Sequence, residues 1–157
     1  MDKAVRELLN LYEKFYSSNR DKELIGYVSG DDEIVVSYHD SWSEKFGCEP
    51  YDEECVLRIR SYLREKARFT FHTHPPDYVF GAEPSSHDVI SSYLLDFPDL
   101  IVHKDKAVLI KPKKHLSPRQ IWEIEKKCRE EYLESGEDGY VWVACIFQHL
   151  PIEETEF

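Results

Sequence analysis

The chain has 157 residues, of which 41% are hydrophobic and 13% aromatic, the make-up of one folded domain with its own core rather than of a disordered segment. A net charge of −11 argues against nucleic acid as a partner, since phosphate contact depends on clustered Lys and Arg, and the one basic cluster (Lys111 to Lys114) is short and broken by Pro112, reading as a solvated loop. No apolar run approaches the ~18 residues needed to span a bilayer and Met1-Asp2-Lys3 opens no signal peptide, so a cytoplasmic protein without membrane attachment is expected, its scattered Cys48, Cys55, Cys128 and Cys145 being free thiols and not nucleophiles.

In chain order, residues 2–17 place Val5, Leu8, Leu9, Tyr12, Phe15 and Tyr16 on one helical face. Strands at 22–29 and 33–39 follow, joined by the hairpin signal Gly30-Asp31-Asp32. Residues 40–51 read as an irregular loop, with Trp42 and Phe46 as core anchors or the lining of a groove, and 52–66 as a helix burying Cys55, Val56, Ile59, Tyr62 and Leu63. A strand at 68–73 leads into a long loop, 75–84, and a helix at 86–96. Leu100 to His103 and Ala107 to Ile110 form a second hairpin. Ser117-Pro118-Arg119-Gln120 is a capping box with Pro at the first helical position, opening a long helix that stops at Gly136. Tyr140 to Phe147 reads as a final buried strand, and the acidic tail 151–157 as frayed. This order predicts one α/β domain over residues 1–150, a mixed sheet with helices.

The most informative stretch is Phe71-His72-Thr73-His74-Pro75-Pro76, followed by Ser85-Ser86-His87-Asp88. On a strand, residues i and i+2 share a face, so His72 and His74 can converge on one ion. Pro75 and Pro76 then turn the chain out of the ladder. A catalytic zinc takes three protein ligands and keeps a fourth position open, and two histidines plus Asp88 supply that number. Ser85-x-x-Asp88 is also a capping box for the apolar stripe Val89, Ile90, Tyr93, Leu94, and a first-turn carboxylate can serve both purposes. Other His-x-His sites fit poorly. An amidohydrolase barrel needs about 250 residues, a cupin needs an all-β chain, and a nucleobase deaminase needs a Pro-Cys-x-x-Cys that is missing here.

His72-x-His74, a ten-residue spacer and Ser85-x-x-Asp88 resemble the JAMM motif of the MPN-domain zinc metalloproteases, with a spacer three residues longer than is common. The family's remaining element, a distant upstream glutamate in the context Glu-x-x-Gly-x-x-x-Gly, is matched by Glu23-Leu24-Ile25-Gly26-Tyr27-Val28-Ser29-Gly30. The resemblance covers about residues 5–148 and implies the MPN fold, a sheet layered between helices as in cytidine deaminases. It implies one Zn²⁺ per chain on His72, His74 and Asp88, Glu23 as general base, and Ser85 as donor to the developing oxyanion, with Ser86 as its nearest rival. The implied activity is hydrolysis of a peptide or isopeptide bond after the extended C-terminal tail of a ubiquitin-like or sulfur-carrier protein, by a stand-alone enzyme like the prokaryotic and archaeal members. The alternatives are a non-catalytic MPN scaffold, which usually lacks one or more of these residues, and a zinc hydrolase of a small peptide-like substrate. His87 is expected to be exposed or to support the site indirectly, and His39, His103, His115 and His149 to lie outside it.

Overall fold

A first helix forms because Asp2, just ahead of it, accepts the Ala4 amide at 2.8 Å, satisfying one of the free donors of a helix start. The computed structural model describes residues 2–19 and 21–157. Its elements are α1 (Lys3–Tyr16), β1 (Ile25–Ser29), β2 (Ile34–Ser37), α2 (Trp42–Phe46), α3 (Glu53–Lys66), β3 (Ala67–Thr73), α4 (Ser86–Leu95), β4 (Asp99–His103), β5 (Lys106–Pro112), α5 (Pro118–Glu134), α6 (Gly139–His149) and β6 (Ile152–Glu156). The strands make one mixed six-stranded sheet in the order β2-β1-β3-β4-β5-β6. Among the described residues only β3 and β4 are parallel, joined by a crossover through α4; the other pairs are antiparallel.

The alternation of side chains divides the sheet into two faces. Phe69 and Phe71 of β3, Val28, Leu100 and Val102 pack under Val5, Leu8, Tyr12 and Tyr16, so α1 covers one side. On the other side Tyr27 packs with Trp42, Ile59 and Leu63, while Val89, Ile90 and Tyr93 of α4 meet Ile121, Ile146 and Leu150. Gly26 is where β1 passes closest to its neighbours: a Cβ there would collide with the Val35 carbonyl oxygen and the Phe71 ring. At Gly30 a Cβ would meet nothing within 4 Å, so only the first glycine of the pattern has a steric cause.

α4 is held at both ends. Ser85 and Asp88 form the reciprocal capping box, Asp88 N donating to Ser85 Oγ at 3.1 Å and Ser85 N to Asp88 Oδ2 at 2.9 Å. At the far end the buried Arg60 of α3 donates to the Tyr93 and Leu94 carbonyls (3.1 and 2.7 Å) and to Leu116 O at 2.9 Å. A cation is favourable at the negative end of a helix, and these bonds satisfy carbonyls that have no partner within the helix.

Several expectations are corrected. Tyr140 to Phe147 lies in a helix, α6, capped by Asp138 and packed on α4 and α5, rather than in a strand. A short run of apolar residues does not by its period distinguish a buried strand from a buried helix. The acidic segment after Pro151 is not frayed: residues 152–156 are the edge strand β6, paired with β5 from Val108↔Glu156 to Pro112↔Ile152. The loop expected over 40–51 contains α2, capped by Ser41 and ended at Gly47 in the left-handed conformation (φ 68°). Lys111 and Pro112 belong to β5 instead of a loop. The cysteines are not free thiols: Cys48 pairs with Cys55 and Cys128 with Cys145, with Cα–Cα distances of 5.7 and 5.5 Å. Their spacing looked dispersed because each bond spans two elements, the α2–α3 connection with α3, and α5 with α6. Among the described residues no helix is long and apolar enough to cross a membrane.

Candidate metal centre

The site lies at the end of β3, where the strand leaves the sheet. Thr70, His72 and His74 alternate with Phe69, Phe71 and Thr73 and so face the helical layer opposite α1. His72 Nε2 is 3.2 Å from His74 Nε2 and 3.1 Å from Asp88 Oδ1, and His74 Nε2 is 3.2 Å from Asp88 Oδ2.

The outer nitrogens of both rings are committed. His74 Nδ1 donates to the Gly81 carbonyl at 2.7 Å, and a carbonyl only accepts, so this ring carries its proton on Nδ1. His72 Nδ1 donates to Asp99 Oδ2 at 2.7 Å, and the other oxygen of Asp99 accepts from Thr70 Oγ1 at 2.8 Å. With both rings neutral, two imidazole lone pairs and a carboxylate therefore point at one another across about 3 Å with no donor of their own between them. Tetrahedral ligands bonded at 2.0–2.1 Å to a zinc ion stand about 3.3 Å apart, so the triad fits such an ion in both spacing and donor type. The carboxylate–histidine contact from Asp99 is the usual support of a metal-bound imidazole.

The same focus attracts a proton. Burial opposes charge on His72, but Asp99 and Asp88 outweigh it and raise the pKa well above the ordinary histidine value. Burial likewise opposes charge on Asp88, yet hydrogen bonds from His72 and His74 hold its carboxyl far below the usual range. A metal ion at this point competes with that proton, and its affinity falls as the solution becomes more acid.

The position of Glu23 follows from backbone bonds on either side. Leu24 N donates to Thr73 Oγ1 at 2.8 Å, Thr73 N donates to Leu24 O at 2.9 Å, and the Tyr16 hydroxyl donates to Lys22 O at 2.6 Å. These place Glu23, just ahead of β1, on the wall of a cavity of about 250 Å³ shared with His72, Asp88, His87 and Trp42. Trp42 is thus both a core anchor and a cavity wall; Phe46 packs behind it on Tyr62. His87 is exposed.

Ser85 accepts the cap bond through its oxygen, which leaves the hydroxyl hydrogen free to donate, so capping and donation to a substrate do not compete. Ser86 Oγ accepts from Trp142 Nε1 at 3.0 Å. Both serines line a groove on the opposite side of the first turn of α4. Of the remaining histidines, His39 lies 3.8 Å from Glu44, His115 bonds Asp96 at 2.8 Å, and His103 stands beside Pro76 O.

Sequence reasoning missed Asp99 and the Gly81 carbonyl. Asp99 is 27 residues from His72 and is brought there by the parallel register Thr70↔Asp99. Gly81 lies in the lengthened loop, in the left-handed conformation (φ 63°), so the extra residues supply the contact that orients His74. The fold and site together define a mixed α/β protein with a two-histidine, one-aspartate cluster beside a carboxylate-lined cavity. No family model, curated protein or solved structure matches the chain.

Proposed function

We propose that the chain is a JAMM-type zinc peptidase of the MPN fold, hydrolysing the peptide or isopeptide bond that follows the C-terminal tail of a ubiquitin-like or sulfur-carrier protein. The observation that carries this reading is the convergence of His72, His74 and Asp88 to 3.1–3.2 Å beside a cavity that Glu23 also lines. The spacing of the motif and the upstream glutamate, separate in sequence, meet at one place.

When bound, zinc supplies a Lewis acid that brings the pKa of a water molecule to about 7 and polarises a carbonyl. His72, His74 and Asp88 would hold the ion, and Asp99 and the Gly81 carbonyl fix the two rings. Glu23 takes the proton of the attacking water and hands it to the leaving amine. Ser85, at the start of α4, donates its hydroxyl to the oxyanion, a contribution worth roughly 3 kcal/mol in comparable sites. The cavity of about 250 Å³ bounded by Trp42 and α4 suits an extended tail of small residues that brings a glycine carbonyl to the centre.

Glu23→Gln separates an enzyme from a scaffold. The variant should keep zinc content and melting temperature, because Glu23 is exposed and ligates nothing in this scheme. Single-turnover cleavage of ubiquitin-like fusions should slow by about 10²–10⁴-fold, since the amide accepts no proton. Equal rates for both proteins remove Glu23 from the reaction. No cleavage of any fusion by zinc-loaded wild type turns the reading toward a scaffold or a small substrate.

A further inference from the structure

The first turn of α4 has a hollow on each side. The cavity bearing Glu23 and Trp42 lies toward β1, while the groove behind Ser85 and Ser86, about 520 Å³, lies toward β5 and β6. The proposed reaction draws Glu23, His72 and Asp88 from the first and, from the second, Ser85 alone, at its edge.

The groove has an apolar floor and walls. Val108 of β5 lies at the bottom, Phe80 comes from the lengthened loop, and Val143 and Phe147 come from α6. Phe80 is 65% exposed and Val143 44%, although both belong to a concave apolar surface. Its rim is acidic, formed by Glu83, Glu154 and Glu156. The antiparallel register sets Glu156 opposite Val108 and Glu154 opposite Ile110, so both carboxylates rise on the same face as the floor. Among the described residues no Lys or Arg lines it. Carboxylates over an apolar floor attract a chain that carries both cationic and apolar side chains and repel an acidic one.

We infer that this groove is the leaving-group subsite: it holds an extended, Lys-rich segment of the protein to which the ubiquitin-like tail is joined. The inference rests on the proposed peptidase reading, which sets the tail in the cavity toward β1. The groove meets the cluster at Ser85, bonded to Asp88, and at Tyr78, whose ring lies 4.4 Å from that of His74, so a chain continuing past the centre from the cavity reaches it there. An isopeptide leaving group is itself a lysine side chain, which makes a cationic neighbourhood the natural match for three carboxylates.

The probe is a short labelled peptide of alternating Lys and Leu, with a Glu/Leu counterpart, followed by fluorescence anisotropy. Wild type should bind the Lys peptide and not the Glu peptide. Glu83→Gln/Glu154→Gln/Glu156→Gln should bind it at least about tenfold more weakly, and Val143→Arg, which places a cation on the apolar wall, should do likewise. Glu7→Gln/Glu13→Gln/Glu130→Gln, an equal change of charge at exposed positions on other elements, should bind as wild type does. Equal losses in the two triple variants mean attraction to net charge alone and overturn the groove, as does full binding by Val143→Arg. All substituted side chains are exposed, and unchanged melting curves establish that the variants are folded.

A fusion with Lys and Leu after the scissile bond tests the assignment to the leaving group. The groove triple variant should raise KM several-fold with kcat held; unchanged KM overturns that assignment. Absence of cleavage by zinc-loaded wild type is a failure of the peptidase reading and of the leaving-group role. The binding arm needs no turnover and decides separately whether the groove takes a basic segment.

Discussion

β3 carries two different chemistries on its two faces. Phe69, Phe71 and Thr73 turn toward α1, where the aromatic rings are buried and the Thr73 hydroxyl sits 2.7 Å from that of Tyr16. Thr70, His72 and His74 turn the other way, into a network with Asp99, Asp88 and the Gly81 carbonyl. The first face is close-packed and apolar; the second converges lone pairs and leaves a cavity beside them. The strand is a rigid support because the packed face holds it, and the other face is therefore free to present polar groups that converge on one point. Substitutions on one side should cost stability, and on the other metal affinity or turnover.

The largest expected effect on the packed side is that of Phe69→Ala, about 3–5 kcal/mol of folding free energy, read by urea denaturation. Zinc affinity of the folded variant should stay near wild type; a large loss of affinity with little loss of stability would break the division between faces. Next comes the pairing that ties α5 to α6 away from the strand. Removing Cys128–Cys145 with Cys128→Ser/Cys145→Ser should cost about 3 kcal/mol, and removing Cys48–Cys55 slightly less because the loop it closes is shorter. Thermal melting of the two double variants checks that order, which a larger effect at Cys48–Cys55 would reverse.

On the site face, Asp99→Asn should lower zinc affinity about 10–100-fold, measured by competition with a chelating dye, while His72 and His74 remain in place. Unchanged affinity would reduce Asp99 to a structural partner of Thr70. The smallest effect expected is alkaline. Burial raises the Tyr16 hydroxyl to about 12, and the hydrogen bond with Tyr62 together with burial raises Tyr27 to about 12. Folding thus favours the neutral phenols. Their contribution is complete below pH 10, the ordinary tyrosine value, and is lost as pH rises toward 12. Unfolding midpoints across that interval should fall more steeply in wild type than in Tyr16→Phe.

Much of the fold could be read because its local signals agree. Asp2, Asp52, Ser85 and Ser117 each stand where a helix begins, and each accepts a backbone amide there. The cluster His72, His74 and Asp88 was legible for a related reason: the two histidines share one face of a strand end, and Asp88 belongs to a capping-box signal that marks the next helix start. What escaped depends on partners distant in sequence. Asp99 reaches His72 only through strand pairing, and the cysteine pairs only through the packing of helices. The segment Ile152–Glu156 carries three glutamates, a poor composition for a strand, and takes that form because β5 offers it an open edge. The reading of 140–147 as a strand erred in the opposite sense, its β-branched and aromatic residues being overruled by the packing surface that α4 and α5 present.

The two anchors of α4 also bear on how an ion would leave. The helix cannot slide along its axis without giving up the Ser85–Asp88 bonds at one end and those from Arg60 at the other. Asp88 is consequently held in depth as well as direction, and a ligand that cannot retreat gradually must withdraw through a local opening of the helix. Arg60, buried at the opposite end of α4 from Asp88, would thereby act on the residence time of a bound metal, much as a bolt at one end of a bar governs the latch at the other.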